Sequence, residues 1–373
     1  MIMNSVKDIH GQAALLTIVF LSMIIVLTGS LFKISIVVRE KIRLQIASDL
    51  ALLSALNTQC NSLNAIAIGN RAILAHEAFS AQLNAMVSES TFNRKMIESF
   101  GRLIRFIPGY GPVLASALGK GGRFIVGVIR KAASILIPTA STLNRTINLK
   151  SYVIRKTLPV NSLKSAKDSL RITDPGANII VPAQLQYLHR TVSLANKIKP
   201  LDQKNFDYLI HNTLDHRTKT RNWTIGSGIF SLPIKKSGST RIKSDDYRSF
   251  DVLKIKTFKR LRWNWKSVLS ASSAASEFSY KRTGEILNFV DDIPKSHTIV
   301  LKKKLTSQKQ VLPHINASLL AVSSGEIYFH RPNRPDEEEN LLNPFWFSRL
   351  IPVRDEESAK KLVPDVLLRE IRH

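Results

Sequence analysis

The sequence predicts an α+β protein with its helices first and its strands last. Two observations carry this. A helical pattern, first apolar and then amphipathic, runs without proline to about Phe100, and short β-rich runs bounded by turn residues begin near residue 222. Between them, 101–221 reads as a basic stretch, helical or irregular. A short segment, 1–12, precedes these parts, and a tail, 354–373, follows the β-rich region at 222–353.

The first element is a candidate membrane span. Gly11 to Phe32 is 22 residues without a formal charge. At about 1.5 Å per residue such a helix crosses a hydrocarbon layer of about 30 Å. The run exceeds the apolar core of a cleaved signal peptide, and no small-x-small site follows it, so an uncleaved anchor over 13–38 is expected. Lys33, Arg39, Lys41 and Arg43 follow it against Glu40. Counted alone, they would hold the C-terminal part in the cytoplasm, although that rule weakens when a long domain follows.

The second element, 39–100, continues the helix. Ile42, Ile46, Leu50, Leu53, Leu56, Cys60, Leu63 and Ala67 recur at steps of 4, 4, 3, 3, 4, 3 and 4, one apolar stripe. Asn57, Asn61 and Asn64 form an amide row beside it, and Gly69 is a place for a bend. A stripe this long needs a covering surface, either the chain's own C-terminal domain or neighbouring helices in a bundle or filament. In the second case Leu50, Leu53, Leu56 and Leu63 are the packing residues. The helix should end near Gly101, before Pro108-Gly109-Tyr110-Gly111-Pro112.

In the middle region, Val126, Ile129, Ala133 and Leu136 are spaced as an amphipathic helix, expected to pack within the soluble domain rather than on a membrane. Gly119-Lys120 is not a phosphate loop: no Ser or Thr follows the lysine, and Leu114 stands where the first glycine belongs. Strands are expected at 223–230, 250–258, 297–301, 315–322 and 325–330, forming a mainly antiparallel sheet, with a short helix at Ser272–Glu277.

Both ends of the chain carry a resemblance. Gly11-Gln12-Ala13 opens the apolar span, and Arg43-Leu44-Gln45-Ile46-Ala47-Ser48-Asp49-Leu50-Ala51 follows it. Near the other end stand Gly325-Glu326-Ile327-Tyr328-Phe329-His330-Arg331-Pro332 and Asn340-Leu341-Leu342-Asn343-Pro344-Phe345-Trp346. These segments, about a quarter of the chain, resemble TadE/TadG-like proteins of tight-adherence (Flp-type) pilus assembly. Pseudopilins cut by prepilin peptidase keep a glutamate five residues after the cleaved glycine. Here that place is Leu16, as in the unprocessed TadG-like type. The resemblance implies a single-pass bacterial inner-membrane protein with a periplasmic C-terminal domain. Its partners would be other pilus or secretion-system membrane proteins. On the residues themselves, Tyr328, Phe329, Phe345 and Trp346 read as core or interface anchors of the distal domain.

Charge supplies the rival reading. With 54 Lys or Arg against 28 Asp or Glu, the chain carries +26, and its pI is about 10.3. That attracts polyanions, whether nucleic acid, anionic lipid or acidic envelope polymers. Lys259, Arg260, Arg262, Trp263, Trp265 and Lys266 interleave rings and cations, as polyanion-binding segments do, but an exposed strand or loop has the same texture. In a periplasmic domain nucleic acid is the less favoured ligand.

Nothing points to turnover. The single cysteine, Cys60, excludes an internal disulfide and paired-cysteine zinc sites, and reads as apolar filler. The nine histidines are scattered, and His211 and His216 with Asp215 read as a solvated loop. Asp245-Asp246 and Asp291-Asp292 read as turn charges. Asp336-Glu337-Glu338-Glu339 reads as a solvated loop or a partner for the basic surface. No enzymatic activity, metal or cofactor is expected.

Overall fold

Helix α1 (Ser5–Ile104) runs unbroken for 100 residues, straight past Gly69. The structure, a computed structural model, describes residues 5–225, 233–243, 246–259, 262–305 and 318–352. A turn over 105–110 reverses the chain, with Gly109 at φ +86°, a conformation that glycine adopts without strain. Helix α2 (Gly111–Thr173) then returns antiparallel along α1. Pro112 stands in its first turn, where a missing N–H is harmless. Pro138 and Pro159 lie inside α2 and each removes a ladder bond, but packing on α1 holds the helix together.

The hairpin's register is read from its rungs. Ser54 Oγ lies 2.7 Å from Ser165 Oγ, and Asn144 Nδ2 donates to Glu77 Oε1 at 2.7 Å. At the base, Arg43 Nη2 donates to the Thr173 carbonyl at 3.2 Å. The helices therefore run together from Arg43 to the turn, on the order of 90 Å, and the first part of α1 projects beyond the base.

The remaining elements are β1 (Ala177–Ile179), α3 (Val181–Lys197), β2 (Ile198–Pro200), α4 (Gln203–Thr213), α5 (His216–Lys219), β3 (Trp223–Ile225), β4 (Ile234–Lys243), β5 (Asp246–Lys259) and β6 (Arg262–Ala274). After a 3-10 turn at Ala275–Phe278 come β7 (Leu287–Phe289), β8 (Ser296–Lys304), β9 (Ser318–Phe329) and β10 (Trp346–Ile351). They form three antiparallel sheets: β1-β8-β9-β10, the pair β2-β7, and β3-β4-β5-β6. The fold is thus mixed, with a long apolar N-terminal helix and a β-rich C-terminal part.

Two cores sit along the hairpin. Near the base, Leu52, Leu56 and Leu63 of α1 pack with Leu158 of α2, Ile327 and Trp346. Further out, Ile73 and Val87 of α1 pack with Ile137, Phe206, Tyr247 and Tyr280. In β9 the buried residues alternate as Ala321, Ser323, Gly325 and Ile327, the period expected of a strand with one covered face.

Several expectations shift. The region 101–221 is mostly helix but also supplies β1 and β2. The two expected strands around Gly325 are one, β9; of the earlier strand, 315–317 lie outside the described residues, as do 226–230 of the strand expected at 223–230. Ser272–Glu277 is the end of β6 and the 3-10 turn, not an α-helix. The amphipathic helix over 126–136 is present and packs within the body through Val126, Ile129 and Ala133, while Leu136 is exposed.

A candidate anchor and the polar spine that holds the sheets

Every residue from 14 to 35 is exposed, and this part of α1 contains an 18-residue stretch of mean hydropathy 2.5. It is long and apolar enough to cross a membrane. α2 also contains such a stretch, of mean hydropathy 1.4, partly buried.

Where α1 meets the body, charge clamps it. Lys303 Nζ on β8 lies 2.8 Å from Glu40 Oε2 and 2.7 Å from Asp174 Oδ2 at the end of α2. Lys41 Nζ donates to the Leu320 carbonyl, and Gln45 Nε2 donates to that of Val322 at 2.9 Å. Three elements are thus tied within two turns of the apolar segment.

The predicted stripe divides in two. Leu56 and Leu63 are fully buried in the chain's own core and Leu53 is half-buried, which corrects their assignment to a surface for partner helices. Ile42, Ile46 and Leu50 are exposed. Two successive steps of four turn the line by about 80° from Ile42 to Leu50, and Leu56 lies about 120° from Leu50. The upper stripe therefore faces away while the face carrying Leu44, Ala51, Leu52 and Ala55 is covered.

Beyond the base, a series of polar side chains on α1 grips the strands. Asn57 Oδ1 accepts from Ser348 Oγ at 2.6 Å. Asn64 Oδ1 accepts from the Trp346 N–H, and its Nδ2 donates to the Trp346 carbonyl, each at 3.0 Å. Asn70 Nδ2 donates to the carbonyls of Leu287 (2.7 Å) and Leu341 (2.6 Å), and its Oδ1 accepts from the Leu287 N–H. Asn84 Nδ2 donates to the Tyr247 carbonyl at 2.7 Å, and its Oδ1 accepts from Ser273 Oγ. Residues 57 and 64 are one heptad apart, as are 70, 77 and 84, a spacing that drifts by only about 20° per heptad; the six-residue step from Asn64 to Asn70 turns by about 120°, so the two groups grip the strands from different faces of α1. Of the amide row read from sequence, Asn57 and Asn64 bond to β10; Asn57 and Asn61 are both exposed.

Between Asn70 and Asn84, Glu77 is buried and fully engaged. Tyr247 Oη donates to its Oε2 at 2.5 Å, Tyr280 Oη donates to the same oxygen, and Asn144 Nδ2 donates to Oε1. Burial first, then the carboxylate's charge, hold both phenols above their usual range. The Arg282 guanidinium lies 5.6 Å from the centre of the Tyr247 ring and pairs with Asp207 at 2.6 Å.

A second polar knot lies further out. Asp251 is fully buried and accepts from Arg221 Nε at 3.0 Å and Ser88 Oγ at 2.6 Å. Lys236, also buried, lies 3.6 Å from Asp251 Oδ1 and 3.0 Å from Glu89 Oε1.

The predicted anchors separate by face. Trp346 is fully buried, edge-on to Phe289 at 5.4 Å and tilted against Phe329 at 5.5 Å, and its indole N–H donates to the Asn340 carbonyl. Tyr328 faces the other way, against Phe347 and under the Arg349 guanidinium; Phe345 is half-buried beside Arg331. Of the basic-aromatic segment, Trp265 and Lys266 are exposed on β6, and Lys259 pairs with Arg262 at the end of the β5–β6 ladder. Arg260 lies outside the described residues, as do the side chains of Lys259, Arg262 and Trp263. The acidic run works within the chain: Glu337 pairs with Arg331 at 2.6 Å and Glu339 with Lys295 at 2.5 Å.

Cys60 is buried, and burial pushes its thiol up to about 12. His297 is fully buried against the Tyr187 ring at 5.3 Å, neither ring nitrogen meets a hydrogen-bond partner among the described residues, and burial depresses it to about 3. Among the described residues no three His, Cys, Asp or Glu side chains gather as metal ligands. An open groove of about 520 Å³ runs beside Ser54, Lys164 and Asp168, and one of about 350 Å³ lies beside Met86, Ile97 and Ile125. Neither is lined by Glu77, Asp251 or His297.

No protein-family model, curated protein or solved structure matches the chain.

Proposed function

We propose that the chain is a non-enzymatic structural protein held in a membrane by the first part of α1. More particularly, we read it as a TadE/TadG-like component of pilus assembly or a related secretion apparatus in a bacterial inner membrane, with the body periplasmic. The observation that carries this is the wholly exposed apolar segment 14–35, joined without a break to a helix on which the sheets are built. Such a segment is not stable in water and demands lipid. Two carboxylates buried in the body are engaged as structure: Glu77 and Asp251 satisfy donors rather than face an open cleft.

Association is the mechanism. The exposed ridge Ile42, Ile46 and Leu50 continues the anchor out of the bilayer and offers neighbouring helices an apolar face. A reporter fused at the C-terminus, active only in the periplasm, tests the topology; a cytoplasmic signal ends this reading. Ile46→Asp should abolish copurification with pilus components while leaving the chain folded and membrane-bound. Unchanged copurification and piliation would remove the ridge from the mechanism.

A second reading rests on the exposed Trp265 and Lys266 near the β5–β6 end: tethering of DNA or an anionic envelope polymer. It requires binding that falls steeply with salt and weakens in Trp265→Ala and Lys266→Ala.

A further inference from the structure

The far end of the hairpin is built unlike the rest of the body. Phe106 and Tyr110, in the turn, are 85% and 86% exposed, and Val113 and Phe124, in the first and fourth turns of α2, are each 72% exposed. Phe100 and Leu103, on the last turns of α1, are also exposed. The apolar surface thus belongs to both helices and to the turn between them, an arrangement that water disfavours.

The charge around it has one sign. Between Glu98 and Asp168 lie 69 residues with 12 Lys or Arg and no Asp or Glu. Four of these cations, Arg102, Arg105, Lys120 and Arg123, flank the exposed rings and aliphatic side chains. Apolar groups set among cations match an anionic phospholipid surface, where head-group phosphates meet the cations and the apolar groups enter the acyl boundary. A second copy of the tip would bring like charges together. A nucleic acid would satisfy the cations but leave Val113, Leu103 and Ile107 in water, since stacking needs flat rings.

We propose that the tip of the α1–α2 hairpin docks on an anionic phospholipid bilayer. It stands on the order of 90 Å from Arg43. If residues 14–35 are held in one bilayer (the step that rests on the anchor reading), the tip touches a second one, and the protein bridges two lipid surfaces.

The test uses the full chain reconstituted through its apolar segment into phosphatidylcholine nanodiscs. Cys60 is buried, so Tyr110→Cys places a polarity-sensitive dye on the tip alone. Dye-labelled protein is mixed with vesicles of phosphatidylcholine containing phosphatidylglycerol, or of phosphatidylcholine alone. Expected are a blue shift of the dye and flotation of the nanodiscs with the phosphatidylglycerol vesicles only, reversed by high salt. In the unlabelled chain, Phe106→Ser with Ile107→Ser should lower vesicle capture by at least about tenfold, and Arg102→Glu with Arg105→Glu should do the same. All four sites are on the surface, and unchanged circular dichroism checks the fold. No blue shift, equal capture of phosphatidylcholine vesicles, or capture indifferent to these substitutions overturns the proposal. So does an oligonucleotide that binds the serine variant as well as the parent and competes with vesicles. Failure to enter nanodiscs counts against the anchor alone, because the free chain's tip dye still reports on added vesicles.

Discussion

Asn64 meets the backbone of Trp346 through both of its amide atoms, donating to the carbonyl and accepting from the N–H, each at 3.0 Å. A helix side chain thereby takes the place of one residue of a neighbouring strand, at the open edge of the sheet that β10 ends. Asn64→Ala leaves both backbone groups of a fully buried tryptophan without partners. The expected loss is about 2–3 kcal/mol of unfolding free energy, read as a lower denaturant midpoint at unchanged slope. A midpoint within error of the parent would show that this rung carries no stability.

Glu77 collects the donors of Tyr247, Tyr280 and Asn144. Glu77→Leu removes the shared acceptor and strands three buried donors. A destabilisation of about 3–5 kcal/mol is expected. The double variant Tyr247→Phe with Tyr280→Phe, in the Glu77→Leu background, should recover part of it. Calorimetry on the parent and these two variants decides, and absence of recovery would mean the loss comes from packing alone.

His297 is held neutral by burial, its folded value near 3 lying below the ordinary 6.5. Protonation therefore favours the unfolded chain. The stability associated with this ring is complete above about pH 6.5 and declines below it, by up to about 1.4 kcal/mol per pH unit until the folded value is reached. Arg190, whose charge opposes the same protonation, and Tyr187 face the ring. Melting temperature measured from pH 7 to pH 5 should fall less steeply in His297→Phe than in the parent. Parallel curves would refute the assignment.

Gly325 lies where α1 crosses β9. A methyl group there would meet Leu56 Cδ1 at 2.6 Å and the Arg349 carbonyl at 2.9 Å. Gly325→Ala should cost about 1–3 kcal/mol through overpacking, and Leu56→Ala in that background should restore some of it. Urea titrations of the single and double variants measure the coupling; strict additivity would show that the helix and strand do not press on each other here.

The helical half was legible because its signals are local. An unbroken proline-free run predicted a helix to Phe100, and α1 ends at Ile104. The strands β5, β8 and β9 showed as apolar or alternating runs, whereas β4, with the sequence IKKSGSTRIK, has too few apolar residues to announce itself. Ile42 shares the azimuth of buried Cys60, five turns away, yet is exposed, because near the base the covering elements pack on the face of Leu44, Ala51 and Leu52, a placement that local spacing does not carry. Asn70, Glu77 and Asn84 carry no such local signal, since buried polar groups look like surface until their partners, 163 to 271 residues away, are placed. Their seven-residue spacing is the one local clue.

Each of the three sheets is fastened to the same helix by side chains of its own, from Asn57 outward to Lys95. A pull delivered at the N-terminal end would run lengthwise through α1 and meet these fastenings in shear, many at once. Strand ladders opened from an edge fail one bond after another. A rod gripped along its flank yields only when a whole series of side-chain ties breaks together, so tension from below would be spread through the body instead of unzipping it.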